Sequence, residues 1–225
     1  MSGGNLPSRE QSEALKLIAI VTMTVDHIGA ILLPNISWLR IIGRIAFPIF
    51  AYQIAVGYLH THDLRRYVRR LLLWGIVSQP ITMLAFRETE FNIMFTLALG
   101  LLAIWGWDKK KWWAVFLALV LSILTIRIPS LGHSFGGVEY GAYGILLCLA
   151  DFIFIGQRER LATANFVLHA FSVFLWQGQV FAVLSLPFIL FPPRIRLKRL
   201  SWQFYAYYPA HLAVLLVIRT LLPLR

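Results

Sequence analysis

The chain has a single cysteine, Cys148, among 225 residues, so no disulfide forms within a monomer and no cysteine-built metal site has enough ligands. Charge is also scarce. Asp, Glu, Lys and Arg together make 14% of the residues, and only ten are acidic; a soluble domain of this size needs a larger solvated shell. The apolar runs do not alternate with period two, which excludes a strand-built barrel. There is no A-x-A cleavage pattern behind the first apolar run, and that run carries Asp26 and His27, so it reads as a retained span behind a polar N-terminus at 1–12 rather than a signal peptide. Neither linker, low-complexity segment nor repeat divides the chain, and 1–225 reads as one integral-membrane domain.

What is abundant is apolar side chain, at 59%, arranged in runs of roughly 15 to 22 residues between short polar breaks. This predicts an all-α, polytopic transmembrane helical bundle with about nine spans, at 14–33, 37–59, 65–86, 92–107, 111–128, 138–155, 161–176, 179–191 and 203–222. With the N-terminus inside, fifteen of the 21 basic residues fall on the inner side, including Arg9, the "RRYVRR" cluster, Lys109 to Lys111 and "RIRLKR" up to Arg199, as cytoplasmic loops require. The net charge of +11 is thus a topology signal and not a nucleic-acid footprint. Residues 161–191 are short for two crossings; counting them as one would turn "RIRLKR" outward, so two short or half-inserted helices are expected around "WQGQ".

Ionisable groups at membrane depth are costly and mark function by default. Asp26 lies about 12 Å below the outer end of the first span and Arg44 about 10 Å below that of the second, across a short "PNIS" turn, which predicts an Asp26–Arg44 pair. His27, one residue on, lines the same polar cavity as a candidate general base. His211, in "FYAYYPAHL", joins them from the last span behind Tyr207, Tyr208 and Pro209. Asn92, Thr96, Glu139 and Tyr140 near the outer ends, and Tyr208 within the last span, are candidate substrate contacts. On the inner side His60 and the row Arg65, Arg66, Arg69 and Arg70 suit phosphate groups. His60 and His62 lack a third ligand, so no metal is expected. Gly137 and Gly141 have the GxxxG spacing of close helix packing.

The motifs "LKLIAIVTMTVDHIGAILLP", "WLRIIGRIAFPIFAYQIAVGYLHT", "YVRRLLLWGIVSQP", "NIMFTLALGLLAI", "EYGAYGILL" and "FYAYYPAHL" follow one another along nearly the whole chain. In that order they resemble the TraX family of bacterial inner-membrane proteins. One departure is Ser78-Gln79, where a Ser-Glu element is usual.

The resemblance implies a multi-pass protein of the cytoplasmic membrane that moves acetyl from cytoplasmic acetyl-CoA, as co-substrate, to an amine or hydroxyl acceptor at or beyond the membrane. The acceptor is a small membrane protein such as pilin, or an envelope glycan; the remaining partners are membrane lipids, with no nucleic acid. In this scheme Asp26, His27, Arg44 and His211 are catalytic. His60 and the four arginines hold the nucleotide end of the donor. The alternatives are a proton-coupled transporter or permease for a small anionic solute, and a non-catalytic assembly partner.

Overall fold

The computed structural model describes residues 6–87, 89–128, 133–174, 177–197 and 202–222. Trp176, Lys198, Arg199 and Arg225 lie outside the described residues. Among the described residues the regular structure is helical except for one short hairpin. In order it runs α1 (Arg9–Ile31), α2 (Ser37–Gly43), α3 (Ala46–His60), α4 (Leu64–Phe86), α5 (Ile93–Asp108), α6 (Trp112–Ile123), β1 (Thr125–Ile128) and β2 (His133–Gly136). It continues through α7 (Gly141–Phe154), α8 (Arg158–Phe171), 3-10 turns at Ser172–Phe174 and Gln177–Ser185, α9 (Leu186–Leu190) and α10 (Trp202–Leu221). Among the described residues three helical segments, Arg9–Ile31, Ser37–His60 and Gln203–Leu221, are long and apolar enough to cross a membrane.

The second predicted span is two helices in file. The helical run breaks at Arg44 and Ile45, and the cause is Pro48, whose ring has no N–H and clashes with the carbonyl four residues back, that of Arg44. Below the break α3 is the core of the bundle: every residue from Ala46 to Val56 is buried, with α1, α5 and α7 packed around it. α5 is apolar on all sides, as a helix enclosed by others must be. Its small residues set how closely neighbours approach: a Cβ on Gly100 would lie 2.6 Å from the Cys148 sulfur of α7, and one on Gly106 2.9 Å from the Ala114 Cβ of α6.

Outside this core the side chains are apolar and exposed, for example Ile76 at 62%, Leu84 at 66% and Phe116 at 70%. Apolar faces of this extent are what a lipid-embedded bundle presents and a soluble monomer does not. The two ends of the bundle differ. Tyr58, near the end of α3, donates a hydrogen bond to Asp108 at the end of α5 (2.8 Å), and Gln11 Nε2 donates to the Pro192 carbonyl beyond α9 (3.0 Å). Arg158, the first residue of α8, sits 5.3 Å over the Phe191 ring. The α8–α9 segment therefore leaves and returns at the same end, which is the end where α1 begins and where Arg9, the α4 arginines and Lys109–Lys111 collect.

Two details correct the sequence expectation. The fifth run ends as helix at Ile123, because "TIRI" is β-branched and the residue before Pro129 disfavours the helical region; Thr125–Ile128 pairs antiparallel with His133–Gly136 instead. Gly137 and Gly141 do not pack helices. Both have positive φ, 69° and 47°, and serve the turn that leads into α7. Next to that turn a single bridge, Phe91 to Val138, ties the α4–α5 connection to the start of α7.

Because the Gly100 contact has a sulfur and its Cβ on the far side, Gly100→Val is expected to destabilise the bundle by about 1–3 kcal/mol. Gly178, with nothing within 4 Å of an added Cβ, should accept Ala with no loss; thermal unfolding in detergent checks both, and equal melting of the two variants contradicts the α5–α7 packing.

Candidate functional site

The site is built where α1, the broken α2–α3 segment and α10 meet. Asp26 and His27 sit in the last third of α1, and His211 in the middle of α10. Each lies in a segment long enough to be apolar around it, and each polar group has to find a partner inside the protein.

Asp26 does not pair with Arg44. Its Oδ2 accepts from Arg40 Nη1 at 2.5 Å, and its backbone carbonyl accepts from the same nitrogen at 3.2 Å. Arg40 lies one turn before Arg44 on the same helix face, and its long side chain reaches down from the outer end, so equal depth of Cα atoms was the wrong criterion. Arg44 sits at the break and donates instead to Gln179 Oε1 (3.2 Å), adding only a second, longer-range attraction to Asp26. Gly43 makes room for the carboxylate: a Cβ there would stand 2.1 Å from Asp26.

His27 turns to α10. Its Nδ1 lies 2.6 Å from His211 Nε2, and the two ring planes are 6° apart with centroids 4.9 Å apart, so the imidazoles meet edge to edge. The proton positions follow from what lies behind them. His211 Nδ1 is 2.8 Å from the Tyr207 carbonyl, which can only accept, so His211 carries its proton on Nδ1 and offers Nε2 as a lone pair. His27 must then donate from Nδ1. Its own Nε2 is left as a lone pair, the form of imidazole that can accept a proton.

Two neighbouring cavities lie beside this pair, and His27 lines the smaller. The larger, about 500 Å³, lies between α1, α3, α4, α5 and α10. Its mouth at the basic end is edged by Arg9, Lys16, His60 and Arg70, and its walls become apolar inward through Ile54, Phe50, Leu97 and Met23. The smaller, about 20 Å³, is lined by Asp26, His27, Gly43, Ala46, Phe47, Glu139 and Tyr140. Met23, Phe50, Ile93 and Tyr208 line both and stand between the first and the second.

The other predicted residues divide. Arg70 lies on the cavity wall with its guanidinium 5.6 and 5.5 Å over the Tyr67 and Tyr205 rings, and His60 Nδ1 donates to the Val56 carbonyl (2.8 Å). Arg65, Arg66 and Arg69 are exposed and do not line it; on an α-helix, one row of arginines cannot all face inward when Tyr67 and Leu71 already do. Asn92 caps α5 and bonds Gln79 and the Gly75 carbonyl, and Thr96 donates to the Glu139 carbonyl. Both hold elements together and neither lines a cavity. Glu139, Tyr140 and Tyr208 do line the smaller one. Gln79 uses both ends of its amide, accepting from Asn92 and donating to the Glu90 carbonyl, and a Glu there would lack that donor. Sequence reading missed Arg40 and Gln179. Arg40 was legible from its i, i+4 spacing to Arg44.

With Arg40 gone, Asp26 would keep its buried oxygens without the ion pair. Arg40→Gln is expected to cost about 2 kcal/mol, between the exposed and buried limits, and Arg40→Gln with Asp26→Asn less than that alone. Detergent melts of the single and double variants check it; a double variant no better than the single contradicts the pairing.

No solved structure matches the chain. It is 28% identical over 233 residues to a probable fimbrial assembly protein FimC, serogroup H1, of Dichelobacter nodosus, covering 89% of this chain and 92% of that one. It is also 28% identical to protein TraX of Escherichia coli, over 67% of this chain and 58% of the relative. An uncharacterized protein of Rickettsia prowazekii is 35% identical over 69% of this chain and 60% of its own length. The chain thus spans nearly all of the first relative and about three fifths of the other two. The TraX protein family matches residues 11–219, and the chain belongs to that family.

Proposed function

We propose that this protein is a membrane-embedded acetyltransferase that passes acetyl from acetyl-CoA to an amine or hydroxyl acceptor, in an inner-membrane bundle whose basic end faces the cytoplasm. The observation that carries this reading is a basic-edged cavity set beside the small cavity at His27, the two sharing four wall residues and together marking a path. A donor with a phosphorylated nucleotide at one end and a thioester at the end of a long, narrow arm has the shape and charge order of that path. From Arg9 to Met23, α1 runs about 21 Å, so the arm enters and the nucleotide stays outside.

At the end of the path, His27 accepts the proton of the attacking acceptor through Nε2. The donated Nδ1 proton is held by His211, which in turn leans on the Tyr207 carbonyl. His211 thus orients His27 and helps carry the charge that develops on it. Arg40, held against Asp26 in the cavity wall, favours an oxyanion at the carbonyl. Arg9, Lys16, His60 and Arg70 bind the phosphates at the mouth. The fimbrial assembly named for the Dichelobacter relative supports an acceptor among pilus subunits; the acceptor is a membrane protein or an envelope glycan.

Purified protein in nanodiscs tests this with acetyl-CoA. Wild type is expected to bind and turn it over, and His27→Ala to bind it with turnover reduced at least about 100-fold. Arg70→Ala should raise KM several-fold while the combined replacement of Arg65, Arg66 and Arg69 leaves it unchanged. Absence of binding and turnover in wild type overturns the transferase reading; movement of an unaltered anionic solute across sealed vesicles would then assign a permease.

A further inference from the structure

The smaller cavity has a floor, and the floor is a buried pair of stacked rings. Beyond His27 and Asp26 the space of about 20 Å³ ends at Ala46, Phe47 and Tyr140. The Phe47 and Tyr140 rings stack face to face, with centroids 3.8 Å apart and planes 4° apart. Phe47 is only 1% exposed. It has no room to retreat, because Gly144 of α7 passes so close that a Cβ there would lie 2.9 Å from the Phe47 ring tip. Tyr143 closes the next side at 6.1 Å between centroids.

A cavity of this size holds about one water-sized group. The larger cavity, by contrast, has room for many atoms, with Arg9, Glu13, Lys16 and Arg70 among its polar residues and Phe50, Leu97 and Met23 among its apolar ones. The space is therefore wide where a carrier arm would lie, and the small cavity lined by His27 has room for a single small group.

We infer that Phe47, stacked on Tyr140, is the wall that sets acyl-chain length and confines the donor to acetyl. This rests on the transferase reading and deepens it. In the step concerned, the acceptor nitrogen or oxygen bonds to the thioester carbonyl carbon and the carbon–sulfur bond breaks. The acceptor proton goes to His27 and from there to the departing sulfur, so that coenzyme A leaves as the thiol. The carbonyl stands at His27, and its methyl substituent occupies the small cavity against Phe47. A propionyl group carries one more carbon, which meets the buried Phe47 ring.

The test compares acetyl-, propionyl- and butyryl-CoA on wild type in nanodiscs, with glycine amide as acceptor and thiol release as readout. Wild type is expected to prefer acetyl over propionyl at least about tenfold in kcat/KM. Phe47→Ala should lower or invert that ratio, with Phe47→Leu intermediate. Ala46→Leu, which fills the same space, should lose acetyl turnover while binding free coenzyme A as wild type does; that binding also shows that each variant is folded. Equal use of acetyl and propionyl by wild type overturns the chain-length inference and leaves the transferase reading standing. An unchanged ratio in folded Phe47→Ala also overturns it. No thiol release from any thioester by wild type overturns both.

Discussion

In an apolar slab a polar side chain has only the protein for a partner, and the centre of this bundle is organised by that requirement. Asp26 and His27 are adjacent on α1 yet turn in different directions, one to Arg40 on α2, the other to His211 on α10. Each bond fastens α1 to a different neighbour. The pair thus fixes the position of three segments, and with them the junction at which the two cavities meet. Elsewhere polar groups do similar work: Arg219 reaches across from α10 to the Ala85 and Leu84 carbonyls at the end of α4, which a helix terminus otherwise leaves unpaired.

The break between α2 and α3 is the second condition for the site. Had the segment from Ser37 to His60 been one regular helix, Gly43, Arg44 and Ala46 would continue its spiral. Pro48 prevents this. Arg44 is released toward Gln179, and Gly43 leaves space in which the Asp26 carboxylate sits. The proline removes one backbone bond and in exchange the bundle gains a place for a charge. In a membrane helix such a loss is tolerated where protein, not lipid, surrounds it, and α3 is the most enclosed helix of the bundle.

The helices, their approximate limits and the basic end were legible in the sequence because they depend on long averages: runs of apolar residues and the uneven placement of Lys and Arg. The same averages supported the prediction that 161–191 enters and returns. Gathering Asp26, His27 and His211 was also legible, since isolated ionisable groups at depth have few places to go. Which arginine met Asp26 was not. That choice depends on side-chain reach and on a helix break, and neither is a property of spacing along the chain. The role of Asn92 and Thr96 was hidden for a related reason: polar residues at a helix start suit a cap as well as a ligand, and only the neighbouring Gln79 and Glu139 carbonyl distinguish the two. The stretch "TIRI" looked like the end of a span because its side chains are apolar, although their branching favours a strand.

The 3-10 geometry of Gln177–Ser185 bears on how so few residues cover so much ground. An α-helix of nine residues is about 13.5 Å long, whereas a 3-10 helix rises about 2.0 Å per residue and reaches about 18 Å. The tighter coil is the longer one. With three residues per turn, it also aligns every third side chain in a straight file, and Gln179, Ala182 and Ser185 are all buried, at 1%, 0% and 0%. An α-helix would have carried the last of these some 120° around the axis. The return limb of the hairpin thus extends like a stretched spring with one inward edge, and the amide at its far end, Gln179, is delivered to Arg44.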